Sequence, residues 1–401
     1  MEVTIEKLDH FGRGICHIDG QLCFVEDAFP DEVVEIEITK QHKKYLEATV
    51  SEIKKASVCR TTSHCPYSDT CGGCQFDSYL YDAENKYKEE KIKEIMERYG
   101  HISSDKLLPI LYGEDFFYRN KIVLHGENGL LGLYKTNSNT IVSIEECSLV
   151  HPKINHMISV LQYINQSIRE ATIKCSNDGE EVLVSITGKV TNTKPLLDVC
   201  DVLIINEEYL TEKKDIINRI GEYSFHESAS SFFQVHSTMT KVLYDQVLNA
   251  VKEIQPKQVL DLYCGTGTIG IYVSPYCEHI TGVDSNPSNI EDAKKNLLLN
   301  DIHSIDYICD KVENVIDQFH TIDCVIVDPP RNGLDEKSRN VLKKIGSQHL
   351  VYVSCDPITL ARDLDDLKDV YDVLSIQPVN MFPKTYHVEC VSLLSRKTFE
   401  K

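Results

Sequence analysis

The sequence predicts an α/β protein: a C-terminal parallel sheet wrapped by helices, preceded by a small β-barrel and a mixed α+β part. Three observations carry this. At 401 residues the chain exceeds one ordinary domain. Its first 56 residues hold several short strand-like runs separated by turn signals. After Phe233, short apolar runs alternate with helix-length segments.

Along the chain, residues 3–5, 15–18, 22–25 and 33–38 are strand-like, divided by Gly12-Arg13-Gly14, Asp19-Gly20 and Phe29-Pro30-Asp31. So many short strands in so little chain suggest an OB-like barrel, used for RNA or for packing between domains. Cysteines then cluster between Cys59 and Cys74, ahead of a charged helical stretch over 79–99. From Phe117 to Phe233 the pattern is mixed, with strand-like runs at 121–124, 182–186 and 202–205; it leaves the topology open. Beyond it, runs at 258–263, 279–283, 306–309, 324–327 and 350–353 alternate with helices expected at 286–300, 334–345 and 357–367. That alternation predicts a parallel sheet covered on both faces, with ligands at the carboxyl ends of its strands. The expected units are 1–56, 57–235 and 236–401.

Composition narrows the function. No signal pattern and no bilayer-length apolar stretch is read in the sequence, so a cytoplasmic protein that avoids membranes is expected. Without a secretory signal, 15 cysteines point to metal ligation, catalysis or core packing rather than disulfides. Cys16, Cys23, Cys200, Cys277 and Cys324 lie in apolar contexts and read as core fillers. The formal charge of −20 argues against a general nucleic-acid binder, though a local basic groove is compatible with it. No obligate protein partner is evident.

The run Asp261-Leu262-Tyr263-Cys264-Gly265-Thr266-Gly267-Thr268-Ile269-Gly270 follows the first strand of the C-terminal unit and opens a helix. Its glycines allow close approach of backbone to a ligand, as in NAD enzymes too. Asp284, Asp310 and Asp328 then end the next three strands, Asp328 within Asp328-Pro329-Pro330. Either of the first two could instead cap a helix. A glycine loop followed by strand-end acids resembles the class I methyltransferase fold, and so implies S-adenosylmethionine, whose sulfonium cation suits nearby carboxylates. Farther on, Tyr352-Val353-Ser354-Cys355-Asp356-Pro357 reads as a strand running into a helix, with Asp356 at the cap and Pro357 first in the helix. Cys355 therefore sits beside a helix N-terminus, which is expected to favour thiolate against the opposing charge of Asp356.

Ser231-Phe232-Phe233-Gln234-Val235, "DLYCG", "DPPR", "YVSCDPITLARD" and "MFPKTYHVECV" occur in order. Together they resemble the RNA 5-methyluridine methyltransferase family across essentially the whole chain. The N-terminal segment "FGRGICHIDGQLCFVEDAFPDEVVEIEI" is similar to a TRAM domain, an RNA-binding module. The resemblance implies Cys355 as nucleophile, Glu389 as general base, and Gln234, Tyr263, Gly265, Asp284 and Asp328 at the cofactor. It also implies a target base turned out of its stack. Asp284 stands where the family often has Glu, and His236 where it often has Asn; His236 is given no role.

Cys65, Cys71 and Cys74 have C-x5-C-x2-C spacing. A fourth thiolate is required, and Cys147 matches the family position. Four thiolates suit a [4Fe–4S] cluster or zinc. The resemblance favours the iron–sulfur cluster, expected to be structural and away from methyl transfer, with Cys59 outside the ligand set. Members combining a TRAM unit with a cluster imply 23S rRNA as substrate. Transfer RNA is the alternative, and an exocyclic-amine methyltransferase a more distant one, since Arg331 follows "DPP" where those enzymes carry an aromatic residue. A radical methylthiotransferase lacks this C-terminal half. An inactive RNA-binding or redox-sensing protein would not need nucleophile, base and cofactor acids together.

Overall fold

The computed structural model describes residues 1–164, 167–315, 318–319 and 321–398. The N-terminal unit is a six-stranded sheet whose strands run from Glu2–Thr4 to Tyr45–Lys55. Alternating residues of these strands (Cys16, Cys23, Val25, Val34, Ile36, Leu46 and Ala48) close its core. Cys16 and Cys23 are direct cross-strand neighbours inside it, and Cys324 is buried in the C-terminal unit, whereas Cys200 and Cys277 are only half-buried. The last strand, Tyr45–Lys55, is absent from the sequence reading; its charged final residues are exposed.

The helix Tyr81–Tyr99, expected in the middle unit, packs on the C-terminal sheet through Ile92, Ile95 and Met96. The middle unit itself is a seven-stranded sheet built on Lys121–Glu127, Ser167–Cys175, Val182–Lys189 and Val202–Ile205, with shorter strands at both edges. Helix Pro152–Ile164 covers one face through Ile154, Met157, Ile158 and Leu161. A two-stranded ribbon, Ile216–Ile220 and Tyr223–Glu227, then crosses to the C-terminal unit, where Asn296 and Asn300 accept from the backbone of His226 and Ser224.

The C-terminal sheet has seven strands, labelled along the chain β1 (Gln258–Leu262), β2 (His279–Asp284), β3 (Ile305–Cys309), β4 (Cys324–Val327), β5 (His349–Ser354), β6 (Tyr371–Val379) and β7 (Glu389–Arg396). Their order is β3-β2-β1-β4-β5-β7-β6. Strands β1–β5 are parallel, as expected, but β7 runs antiparallel between β5 and β6. Strands β6 and β7, which the sequence reading did not name as strands, are joined by a loop without a crossover helix, as antiparallel neighbours allow. One face packs on Glu336–Ile345, Pro357–Leu367 and Tyr81–Tyr99; the other packs on Met239–Ile254 and Thr268–Val273. Among the described residues no helix is long and apolar enough to cross a membrane.

Candidate active site

Strand register sets the site. Leu262 pairs with Val283 and with Val327, so Tyr263, Asp284 and Asp328 occupy the next row, Asp284 ending β2 and the other two just past the carboxyl ends of β1 and β4. Across β5 and β7, Ser354 pairs with Cys390, which brings Cys355 and Glu389 together one position farther on. These residues line one cavity of about 870 Å³, together with Gln234, Gly265, Arg331 and Phe382.

At its glycine-loop end the backbone turns through left-handed conformations at Tyr263 (φ 61°), Gly265 (φ 54°) and Gly267 (φ 78°). A Cβ at Gly267 would overlap the Tyr307 ring, so glycine is required twice over. Gly265 N–H donates to Asp284 Oδ2 at 3.1 Å, while Asp284 Oδ1 accepts from Asn286 N and Asn289 Nδ2. The helix cap is Asn286, not Asp284; the strand-end acid is left to organise the loop and face the cavity. Asp310 is exposed, accepts from Lys311 N and Asn314 Nδ2, and is absent from the lining. Tyr263 donates its hydroxyl to Ser338 Oγ at 2.7 Å, so its phenol is held by the neighbouring helix. Gln234 is buried at the opposite wall, where its carbonyl accepts from Asn120 Nδ2.

The cavity is strongly acidic. Burial raises Asp328 to about 7. Burial and then the charge of Asp328 raise both Asp261 and Glu389 to about 8. Oε2 of Glu389 lacks a hydrogen-bond partner among the described residues, and the buried Asp261 carboxylate meets little beyond the backbone of Gly270. Buried acids in this state are suited to a cation, which would satisfy them and restore their charge. Asp261 was given no role in the sequence reading, although a carboxylate inside the apolar run of β1 was a usable signal. The expectation that Cys355 is biased to thiolate is corrected: burial first, then Glu389 and Asp328, push its thiol up to about 12, with only Arg331 opposing. Burial is the larger cause, and the converging carboxylates add to it. His236, which was given no role, is a buried core histidine stacked on Tyr118, its ring centroid 4.4 Å away.

Cys65, Cys71, Cys74 and Cys147 line the same cavity, which is therefore shared with Cys355 and Glu389 rather than walled off. Burial raises all four thiols, and Cys74 is raised further by the charges of Cys147, Cys71 and Cys65. Among the described residues no group of three or more His, Cys, Asp or Glu is arranged to hold a metal ion. Cys59 packs beside Leu8, Phe29, Phe76 and Tyr79 and does not reach the cavity.

Three family models match the chain: the TRAM domain over residues 1–51, the methyltransferase small domain over 238–351, and tRNA (uracil-5-)-methyltransferase over 310–397. An uncharacterized RNA methyltransferase of Halalkalibacterium halodurans is 32% identical, covering 99% of this chain and 97% of the relative. One from Caldanaerobacter subterraneus subsp. tengcongensis is 31% identical over 98% of each. Among solved structures, the tRNA (uracil-54, C5)-methyltransferase of Pyrococcus abyssi, in complex with S-adenosyl-L-homocysteine, superposes with a TM-score of 0.81 at 25% identity, covering 98% of this chain and 100% of that one. With the glycine loop, the strand-end acids and the barrel all in place, the chain belongs to the TRAM-containing RNA uracil-C5 methyltransferase family and is an S-adenosylmethionine-dependent enzyme.

Proposed function

We propose that the enzyme methylates C5 of a specific uridine in 23S rRNA, in the cytoplasm, through a covalent bond between Cys355 and C6 of the base. The meeting of Cys355 with Glu389 at the paired ends of β5 and β7 is the observation that carries this. C5 of uracil is a poor nucleophile until a thiolate adds to C6 and leaves an enolate. Cys355 supplies that thiolate, its proton leaving the site. Bound in this cavity, S-adenosylmethionine supplies the methyl group and a positive charge. Asp261, Asp284 and Asp328 are placed to face that cation, and Gly265 and Gln234 to pack against its carrier. Once C5 is methylated, Glu389 as carboxylate removes the C5 proton, the C5–C6 double bond re-forms, and Cys355 is expelled as thiolate.

The Cys65–Cys71–Cys74–Cys147 set is proposed to hold a [4Fe–4S] cluster. The lining of one cavity by all four thiols supports it, with Cys71, Cys74 and Cys147 each raised in part by neighbouring thiols of the set. Transfer RNA is the second reading for the substrate, favoured by the archaeal enzyme that matches the chain end to end. Nucleoside mass spectrometry of separated 23S rRNA and tRNA, from cells with and without the gene, decides between them. Loss of 5-methyluridine from 23S rRNA alone is expected, and Cys355→Ala should fail to restore it. Loss from tRNA alone establishes the second reading, and restoration by Cys355→Ala removes the covalent mechanism.

A further inference from the structure

We propose that the junction between the barrel tip and segment 382–387 is a track for a single RNA strand entering the catalytic cavity, gripped by base stacking on Phe11 more than by phosphate contacts. This rests on the uracil-C5 reading of that cavity. Phe11 stands on a turn that is firmly held. Asp9 Oδ1 accepts from Phe11 N at 2.9 Å and Arg13 N at 2.8 Å, and Tyr87 donates its hydroxyl to Asp9 O. Yet the Phe11 side chain is 50% exposed. Rings then step inward from it: Phe11 to Tyr386 at 5.6 Å, Tyr386 to His387 at 4.2 Å, and His387 to Phe382 at 5.9 Å between centroids. Phe382 lines the cavity beside Cys355, Glu389 and Arg331.

A base turned out toward Cys355 leaves its neighbours without a stacking partner, and an aromatic face at the cavity approach replaces that partner. Among the described residues the cations near the outer track are already engaged. Arg13 is paired with Asp9 at 2.7 Å and lies 5.7 Å from the Phe11 centroid, and Lys384 is paired with Asp115 at 2.9 Å. Lys91 Nζ donates to Tyr386 O and lies 5.2 Å from the Tyr386 centroid, while Arg119, Lys121 and Arg331 are at the cavity itself. In a chain of charge −20 this favours stacking over charge neutralisation as the source of affinity. One stacked base is worth on the order of 5- to 100-fold in affinity and tolerates any sequence.

The test measures binding of a fluorescein-labelled oligouridylate to the full chain by anisotropy. Phe11→Leu, which keeps the apolar contact to Tyr386 but removes the π face, should weaken binding roughly tenfold. Phe11→Trp should bind at least as tightly as the native chain. S-adenosylhomocysteine affinity and the melting temperature should be unchanged in both variants. The dependence of log Kd on log salt should be shallow, with a slope of magnitude about 1 to 2. Native affinity in Phe11→Leu, no binding by the native chain, or tighter binding of the oligouridylate once annealed to oligoadenylate each overturns the track. Methylation that depends on Cys355 is scored separately. If it holds while Phe11→Leu binds normally, the track fails alone; if the native chain binds the strand but yields no 5-methyluridine in its RNA, the reading of the cavity fails instead.

Discussion

After burial, Glu389 and Asp328 raise the Cys355 thiol, so the proposed nucleophilic role requires that thiol to lose its proton in the course of the reaction. Glu389 is itself raised to about 8 and sits with one oxygen unpartnered, as a base that waits for a C5 proton can do. Glu389→Gln keeps the size of the side chain and removes the base. It should permit addition and methylation but stall release, leaving a protein–RNA adduct that survives denaturing electrophoresis. The shifted band should vanish in the double variant with Cys355→Ala, and absence of any adduct would remove Glu389 from the base role. The same acids set how stability responds to pH. Asp261 and Glu389 at about 8 and Asp328 at about 7 lie above the unfolded range, near 4, so the folded chain holds these protons more tightly than the unfolded one. Their stabilising contribution is complete below about pH 4 and is lost as pH rises through about 7 to 8, by at most about 1.4 kcal/mol per unit for each group. Urea unfolding of cofactor-free protein should therefore show lower stability near pH 8 than near pH 5.5, and Asp261→Asn should flatten that slope. An equal slope in the variant would show that Asp261 ionises normally.

The loop between β6 and β7 shows how an element far off in sequence holds Glu389. Lys88, on the helix Tyr81–Tyr99, is fully buried; its Nζ donates to Glu84 Oε1 at 2.7 Å, Asn380 Oδ1 at 2.8 Å and Phe382 O at 3.0 Å. Glu84 accepts in turn from Lys384 N, and Lys91 Nζ donates to Tyr386 O. Removing one partner of a buried pair costs about 3–5 kcal/mol, so Lys88→Met should lower the urea midpoint by that equivalent. Adding Glu84→Gln should recover part of the loss, since the stranded charge goes with it; no recovery would show that Lys88 acts through packing alone. None of this was legible in the sequence. Strands β1 to β5 and the helices between them were, because their apolar runs are short and bounded by caps such as Asp356 and Pro357. β6 had no reading in the sequence, and β7 was read only where the motif 381–391 overlaps its start, since β7 is buried along nearly its whole length and shows no alternation. The cavity lining was likewise legible as motif. The direction of the Cys355 shift was not, because it depends on a register that places Glu389 beside it.

At the scale of the whole molecule, the cysteine segment is where the three units meet. Gly72 N donates to Tyr134 O in the middle sheet, and Gln75 N and Phe76 N donate to Lys384 O in the loop ahead of Glu389. Phe76 also packs with Leu8 and Phe29 of the N-terminal unit. Yet from residue 57 to residue 80 the segment forms no named strand or helix, only isolated bridges at Arg60, Cys71 and Tyr79. Without a regular strand or helix of its own, it is held by turn hydrogen bonds and by these contacts to its neighbours. A [4Fe–4S] cluster on Cys65, Cys71, Cys74 and Cys147 would fix it, and protein purified without oxygen should then be brown and carry about four irons and matching sulfide per chain. Cys71→Ser or Cys74→Ser should lose the iron and lower the melting temperature, whereas Cys59→Ser, packed outside the cavity, should keep both. Because Gln75 and Phe76 hold Lys384, cluster loss should also loosen the Glu389 loop, seen as faster amide hydrogen exchange over 380–388 in the Cys74→Ser chain. Stoichiometric zinc without sulfide would replace the iron–sulfur assignment. Unchanged exchange in the loop would confine the cysteines to holding their own segment, leaving the helix Tyr81–Tyr99 as the element that keeps Glu389 in place.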